Sequence, residues 1–156
     1  MGTPAEKDAA LVFDHIGVVT GDIDAAAQTL AEALGPCGFS HRFDDEALGV
    51  SVRFVKDRSG LVYEMISPLG EKSPVARTLA SKASLLNQVA YRTEALDTSA
   101  RALRAGRCLP VSRPAPAKAF GGALVQFFWN PLGFVVELIE SPAHTHLFLD
   151  SFADAK

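Results

Sequence analysis

The sequence predicts an α+β protein built from two tandem βαβββ modules, and three observations carry that prediction. The first is an internal repeat at an offset of 73 residues, which lays His15 over Gln88 and Glu64 over Glu137. The second is the order of local signals, which in each half reads strand, helix and then three strands. The third is the punctuation of the helices: Asp22 or Asp24 opens one that Gly35-Pro36 stops, and Gly106 stops its counterpart.

The repeat is gapless. Phe13-Asp14-His15-Ile16-Gly17-Val18-Val19-Thr20 falls on Leu86-Asn87-Gln88-Val89-Ala90-Tyr91-Arg92-Thr93. At the same offset Asp24, Ala27 and Leu30 fall on Asp97, Ala100 and Leu103, and 60–66 falls on 133–139. In the first half a β-branched run predicts a strand over 12–19, a helix follows through Leu34, and strands follow near 39–43, 50–55 and 61–67. Ser73-Pro74 then reads as a helix start, with Ser as the cap and Pro at the first helical position of a linker helix over 74–83. The second half gives a strand over 86–93, a helix from about Asp97, and strands near 108–112, 123–129 and 134–140. The proline- and glycine-rich stretch 113–122 is expected to be an irregular loop covering a ligand site. The organisation expected is one domain over 1–156: a first module at 11–70, a linker helix at 71–84, a second module at 85–141 and a C-terminal tail at 142–156.

Composition narrows the function classes. With 156 residues, 48% of them hydrophobic, and a net charge of −3, the chain is long and apolar enough for a sizeable core, and wholesale disorder is excluded. The acidic balance argues against a nucleic-acid partner. No apolar run reaches the length of a membrane span, and Met1 to Ala10 lacks the apolar region of a signal peptide. Two cysteines suit a reducing compartment, so a cytoplasmic location is expected. Cys37 and Cys108 do not coincide under the offset and read as structural thiols.

Four polar residues interrupt the apolar strands. Glu64 shares a strand face with Val62 and Ile66, and Glu137 shares one with Val135 and Ile139. A carboxylate so placed is exposed, protonated or paired with a cation. An edge-strand Glu facing water explains one such residue simply, but a matched pair at one offset less well. His15 and Gln88 form a second matched pair. One imidazole, one amide and two carboxylates around a shared cleft would make an octahedral site with open positions, suited to a divalent ion such as Co, Mn, Ni, Zn or Mg. His41, His144 and His146 have no repeat partner and read as surface residues. No G-x-S-x-G, phosphate loop, C-x-x-C or H-E-x-x-H occurs.

On these segments the chain resembles the vicinal oxygen chelate (glyoxalase/bleomycin-resistance) superfamily, and within it the methylmalonyl-CoA epimerase-like branch. The resemblance spans 11–141 and rests on Asp14-His15-Ile16-Gly17-Val18, on 49–55, on Phe127-Phe128-Trp129-Asn130-Pro131 and on Val135-Val136-Glu137-Leu138. Pro68-Leu69-Gly70-Glu71-Lys72-Ser73-Pro74 points to the epimerase-like branch in particular. The resemblance implies paired modules in a curved, partly open mixed sheet, a divalent metal on His15, Glu64, Gln88 and Glu137, and a homodimer. It also implies an isomerase, epimerase or lyase acting next to a carbonyl or thioester, on a small molecule such as an acyl-CoA, through a metal-stabilised enolate. Glu137 is then ligand and base, and Glu64 the second catalytic carboxylate. Epimerase-like members carry His-His where this chain has Asn87-Gln88, and some carry a Glu where it has Val52. Arg113, Lys118, Lys72 and Arg77 are candidates to meet an anionic substrate, with solvated charge the simpler reading. The competing class is a metal-free small-molecule binding or resistance protein. An extradiol dioxygenase expects two His and one carboxylate, which Gln88 disfavours.

Overall fold

The computed structural model describes residues 10–35, 38–82 and 85–149. Strand β1 (Val12–Val19) leads through Asp22 into helix α1 (Ile23–Leu34). Asp22 is the N-cap, its carboxylate accepting the Ala25 N–H at 3.0 Å, and Gly35 ends the helix at φ 88, a value that favours glycine. Strands β2 (Gly38–Asp45), β3 (Val50–Lys56) and β4 (Val62–Pro68) complete the first half. β2 and β3 are antiparallel, as are β3 and β4, and β4 lies parallel to β1 with Gly17 opposite Glu64.

A short helix α2 (Ala76–Ser81) comes next, and it starts later than expected. Val75 occupies the N-cap position with no side-chain cap, while the Ser73 hydroxyl accepts the Val75 N–H at 3.4 Å and the Ser73 carbonyl that of Ala76 at 3.2 Å. Ser73 and Pro74 therefore form a turn before the helix rather than its first residues, and that turn abuts Gly49, whose built Cβ would lie 3.3 Å from Pro74 Cδ.

The second half runs through β5 (Leu86–Arg92), α3 (Leu96–Ala105), β6 (Leu109–Pro110), β7 (Ala115–Pro116), a 3-10 turn at Lys118–Phe120, β8 (Leu124–Trp129) and β9 (Val135–Ile139). Two expectations change here. β6 is only two residues long: Pro110 has no N–H to give the ladder, and the Ser112 hydroxyl accepts the Phe127 N–H at 3.0 Å in place of a backbone group. The stretch 113–122 is not an irregular loop. Ala115 and Pro116 pair with Val125 and Leu124 of β8, and Ala117 and Phe120 are buried.

Among the described residues the nine strands form a mixed sheet that does not close, with three α-helices, the α+β class predicted. The described residues divide into two units, one of His15–Gln88 with 145–149, the other of Val89–His144 with 10–14. In the first unit the strand order is β2-β3-β4-β1, and Ile23, Ala27, Phe39, Val55 and Met65 make the core beneath α1. In the second the order is β5-β9-β8-β6, with β7 also on β8. Its core is Leu96, Ala100, Cys108, Phe128, Val136 and Leu138 against α3. Cys108 is thus a packed thiol, and Cys37 lies outside the described residues. No helix among the described residues is long and apolar enough to cross a membrane.

Candidate metal centre

Alternation places the polar residues of the first unit. Met65 and Tyr63 of β4 point into the α1 core, so Glu64 points to the opposite, helix-free face. Val18 of β1 likewise packs against that core, which puts Gly17 and His15 on Glu64's face. His15 Nε2 lies 2.7 Å from Glu64 Oε2, with the two side chains 0% and 8% exposed. A buried carboxylate needs a partner, and here an imidazole supplies it. Phe54 of β3, opposite Glu64 in the ladder, sets the edge of its environment, its ring meeting that of His15 at 5.4 Å and 72°.

Gln88 reaches the same face by a route the sequence did not reveal. A Cβ built on Gly17 would overlap Gln88 Cγ and lie 2.8 Å from its Cδ and 3.0 Å from its Nε2. The amide chain therefore occupies the volume a side chain at 17 would fill, beside His15, and Gln88 is 6% exposed. Only glycine permits this close approach.

Glu137 occupies the equivalent position in its own unit. Val136 and Leu138 enter the α3 core, so Glu137 stands on the helix-free face of β9, opposite Phe127 of β8 and 3% exposed. An edge-strand Glu facing water thus describes neither carboxylate, since β4 and β9 each have strands on both sides. His15, Glu64 and Glu137 are all buried, and each offers a ligand atom of the kind that holds a divalent ion.

Other candidates divide. His41, Lys72, Arg77, Arg113 and Lys118 are exposed. Val52 is buried and apolar. The tail histidines are half-buried: His144 packs edge-on against Phe120 at 4.9 Å, and the His146 ring lies 4.1 Å from Phe54 and 6.3 Å from His15. The residue before His15, Asp14, is buried and paired with Arg92 Nε at 3.0 Å, and Arg92 also donates to the Pro142 carbonyl at 2.6 Å. The sequence pattern singles out neither Gly17, Phe54 nor Arg92 for these contacts, and it reads His146 as a surface residue. A glycine inside a strand was the one local signal available.

Residues 14–127 match the family model of the glyoxalase/bleomycin resistance protein/dioxygenase superfamily. The chain belongs to that superfamily. Its fold is similar to that of methylmalonyl-CoA epimerase from Mycobacterium tuberculosis, with a TM-score of 0.69 and 23% identity over 88% of this chain and 91% of that one. It is also similar to a hypothetical protein from Bacillus halodurans, with a TM-score of 0.73 and 19% identity over 87% and 98% of the two chains. A variant of the Streptomyces coelicolor methylmalonyl-CoA epimerase, in complex with 2-nitronate-propionyl-CoA, gives a TM-score of 0.68 and 23% identity over 86% and 100%. At such identities the likeness is one of fold. No curated protein matches.

Proposed function

We propose that the chain is a metal-dependent epimerase or isomerase, or a lyase, that moves a proton next to a carbonyl or thioester, with His15, Glu64, Gln88 and Glu137 as ligands of one divalent ion. The observation that carries this reading is the buried His15–Glu64 pair, 2.7 Å apart on the helix-free face, with Gln88 folded over Gly17 beside it. The donor chemistry fits: one imidazole nitrogen, one amide and two carboxylates suit Co, Mn, Ni, Zn or Mg, and the two negative charges balance a 2+ ion. The methylmalonyl-CoA epimerases of the same fold support an acyl-CoA or other small carbonyl compound as the substrate class. A homodimer in the cytoplasm completes the reading.

A bound divalent ion supplies positive charge to the carbonyl oxygen, which lowers the cost of removing the adjacent proton. The remaining work falls to the chain's own groups. Glu137 Oε accepts the α-proton, its burial keeping water from competing for it, and inversion at that carbon requires a proton delivered to the opposite face, the task of a second carboxylate. Glu64, held by His15 Nε2, keeps a fixed orientation and supplies the second carboxylate. The Phe54 ring beside them excludes solvent.

The competing reading, a metal-free binding protein, draws on the same pair, because His15 Nε2 and Glu64 Oε2 stand at ion-pair distance without an ion. Deuterium uptake from heavy water at the α-carbon of methylmalonyl-CoA, followed by NMR with metal-loaded protein, separates them. Exchange that falls at least about a hundredfold in Glu137→Gln is the expected result. Exchange no faster than buffer, with the compound bound nonetheless, would establish the binding protein.

A further inference from the structure

We propose that the second unit carries a separate site for a small hydroxylated phosphate ester, in the cleft between α3 and the segment leading into β7. The cleft encloses about 360 Å³ and is lined by Asp97, Ala100, Arg101, Arg104, Pro114 and Gln126. That volume falls in the range of small-ligand pockets, roughly 300–1,000 Å³. One wall follows from the spacing in α3. Leu96, Ser99 and Ala100 are buried and Leu103 packs with the core, so Asp97, Arg101 and Arg104, at i, i+4 and i+7, form a stripe along one flank. Ala100, small and set beside that stripe, leaves the volume open. Pro114 makes the opposite wall, and the residues after it are fixed by the pairing of Ala115 and Pro116 with Val125 and Leu124.

Gln126 of β8 is the floor. Phe128 belongs to the α3 core, so alternation turns Gln126 to the helix side as well, while Phe127, opposite Glu137, faces the other way. The cleft therefore lies on the face of the sheet away from Glu137, and its ligand is not the compound whose proton Glu137 takes. Gln126 is only 4% exposed, and a polar group buried there is costly unless it is bonded. Its Nε2 donates to the Ser112 carbonyl at 3.1 Å, which leaves Oε1, an acceptor, to meet a donor on the ligand. Arg101 and Arg104 offer planar forks that match phosphate oxygens two at a time. Asp97 repels a bare anion but accepts from a hydroxyl, so floor and rim select an ester carrying hydroxyls over inorganic phosphate. A charge that served only the C-terminal end of the helix would need Arg104 and no matching Arg101 one turn before it.

The test titrates full-length protein with glycerol 3-phosphate and, separately, with inorganic phosphate, at one pH and one ionic strength, read by calorimetry and by NMR amide spectra. Glycerol 3-phosphate is expected to bind more tightly than inorganic phosphate, with shifts gathered on α3 and on the Gln126 side-chain amide. Arg101→Gln and Arg104→Gln each weaken it at least about tenfold, the loss of one charge-assisted pair. Arg107→Gln removes the same charge from an exposed position outside the cleft and leaves the affinity within about twofold. All three arginines are exposed, so the variants fold, and melting near wild type checks this. Equal weakening in all three variants would reduce the effect to net charge and overturn the site, as would wild-type protein that binds neither compound. Inorganic phosphate binding as tightly as the ester would overturn the selection assigned to Gln126 and Asp97. None of these outcomes depends on whether the protein holds a metal.

Discussion

At the scale of single residues, the site depends on a missing side chain as much as on those present. Gly17 leaves the volume that Gln88 occupies, so Gly17→Ala must displace the amide. A loss of about 1–3 kcal/mol is expected on chemical denaturation, as for overpacking elsewhere. Gln88→Ala should recover most of it in the double variant, and additive losses in that cycle would refute the contact. The His15–Glu64 pair is more demanding, because removing one partner leaves the other buried alone. Glu64→Ala is expected to destabilise the metal-free protein by about 3–5 kcal/mol, measured in urea. The matched pairs His15/Gln88 and Glu64/Glu137 were legible because duplication writes them twice at one offset. The Gly17–Gln88 approach was not, since it depends on side-chain packing that the sequence pattern does not display.

At the scale of elements, the chain uses local caps in one half and distant ones in the other. Asp22 caps α1 from the preceding residue, which is why its start could be read directly. The N-cap residue of α3, Ala95, contributes no side-chain bond. The Leu96 N–H instead goes to Glu140 Oε2 at 2.8 Å, a residue 44 positions downstream, and Thr93 Oγ1 lies 2.7 Å from Ser99 Oγ in the first turn. Glu140→Ala should therefore cost about 1 kcal/mol, as a lost helix cap does, with the loss seen as earlier amide exchange in α3. The turn between β3 and β4 carries a pH signature. The Ser59 hydroxyl, with the N–H groups of Ser59 and Leu61, holds the Asp57 carboxyl below its ordinary value. A carboxyl so depressed contributes stability that is present above the unfolded-state pKa and is lost as pH falls through the lower folded value. Asp57→Asn is thus expected to flatten the acid limb of the stability profile, and an unchanged acid limb would contradict the assignment. The stretch 113–122 shows the limit of reading elements from composition: its prolines and glycines signalled a loop, yet backbone bonds to β8 and the burial of Phe120 order it. Those partners lie in later sequence and leave no local trace.

At the scale of the whole molecule, duplication gives each half its own helix and its own core, so stability is distributed while the proposed ligands occupy a few strand positions. Phe128→Ala, from the core of the second unit, is expected to cost about 3–5 kcal/mol without altering any proposed ligand, and its metal affinity in the folded state should remain that of wild type. The central claim, that strand residues of both repeats hold a divalent cation, is met most directly by equilibrium dialysis of chelator-stripped protein against Co, Mn, Ni, Zn and Mg, followed by elemental analysis. The account predicts about one ion per chain for at least one of these metals, lost together in Glu64→Gln and Glu137→Gln. Protein that returns from every dialysis with no metal above buffer would contradict it.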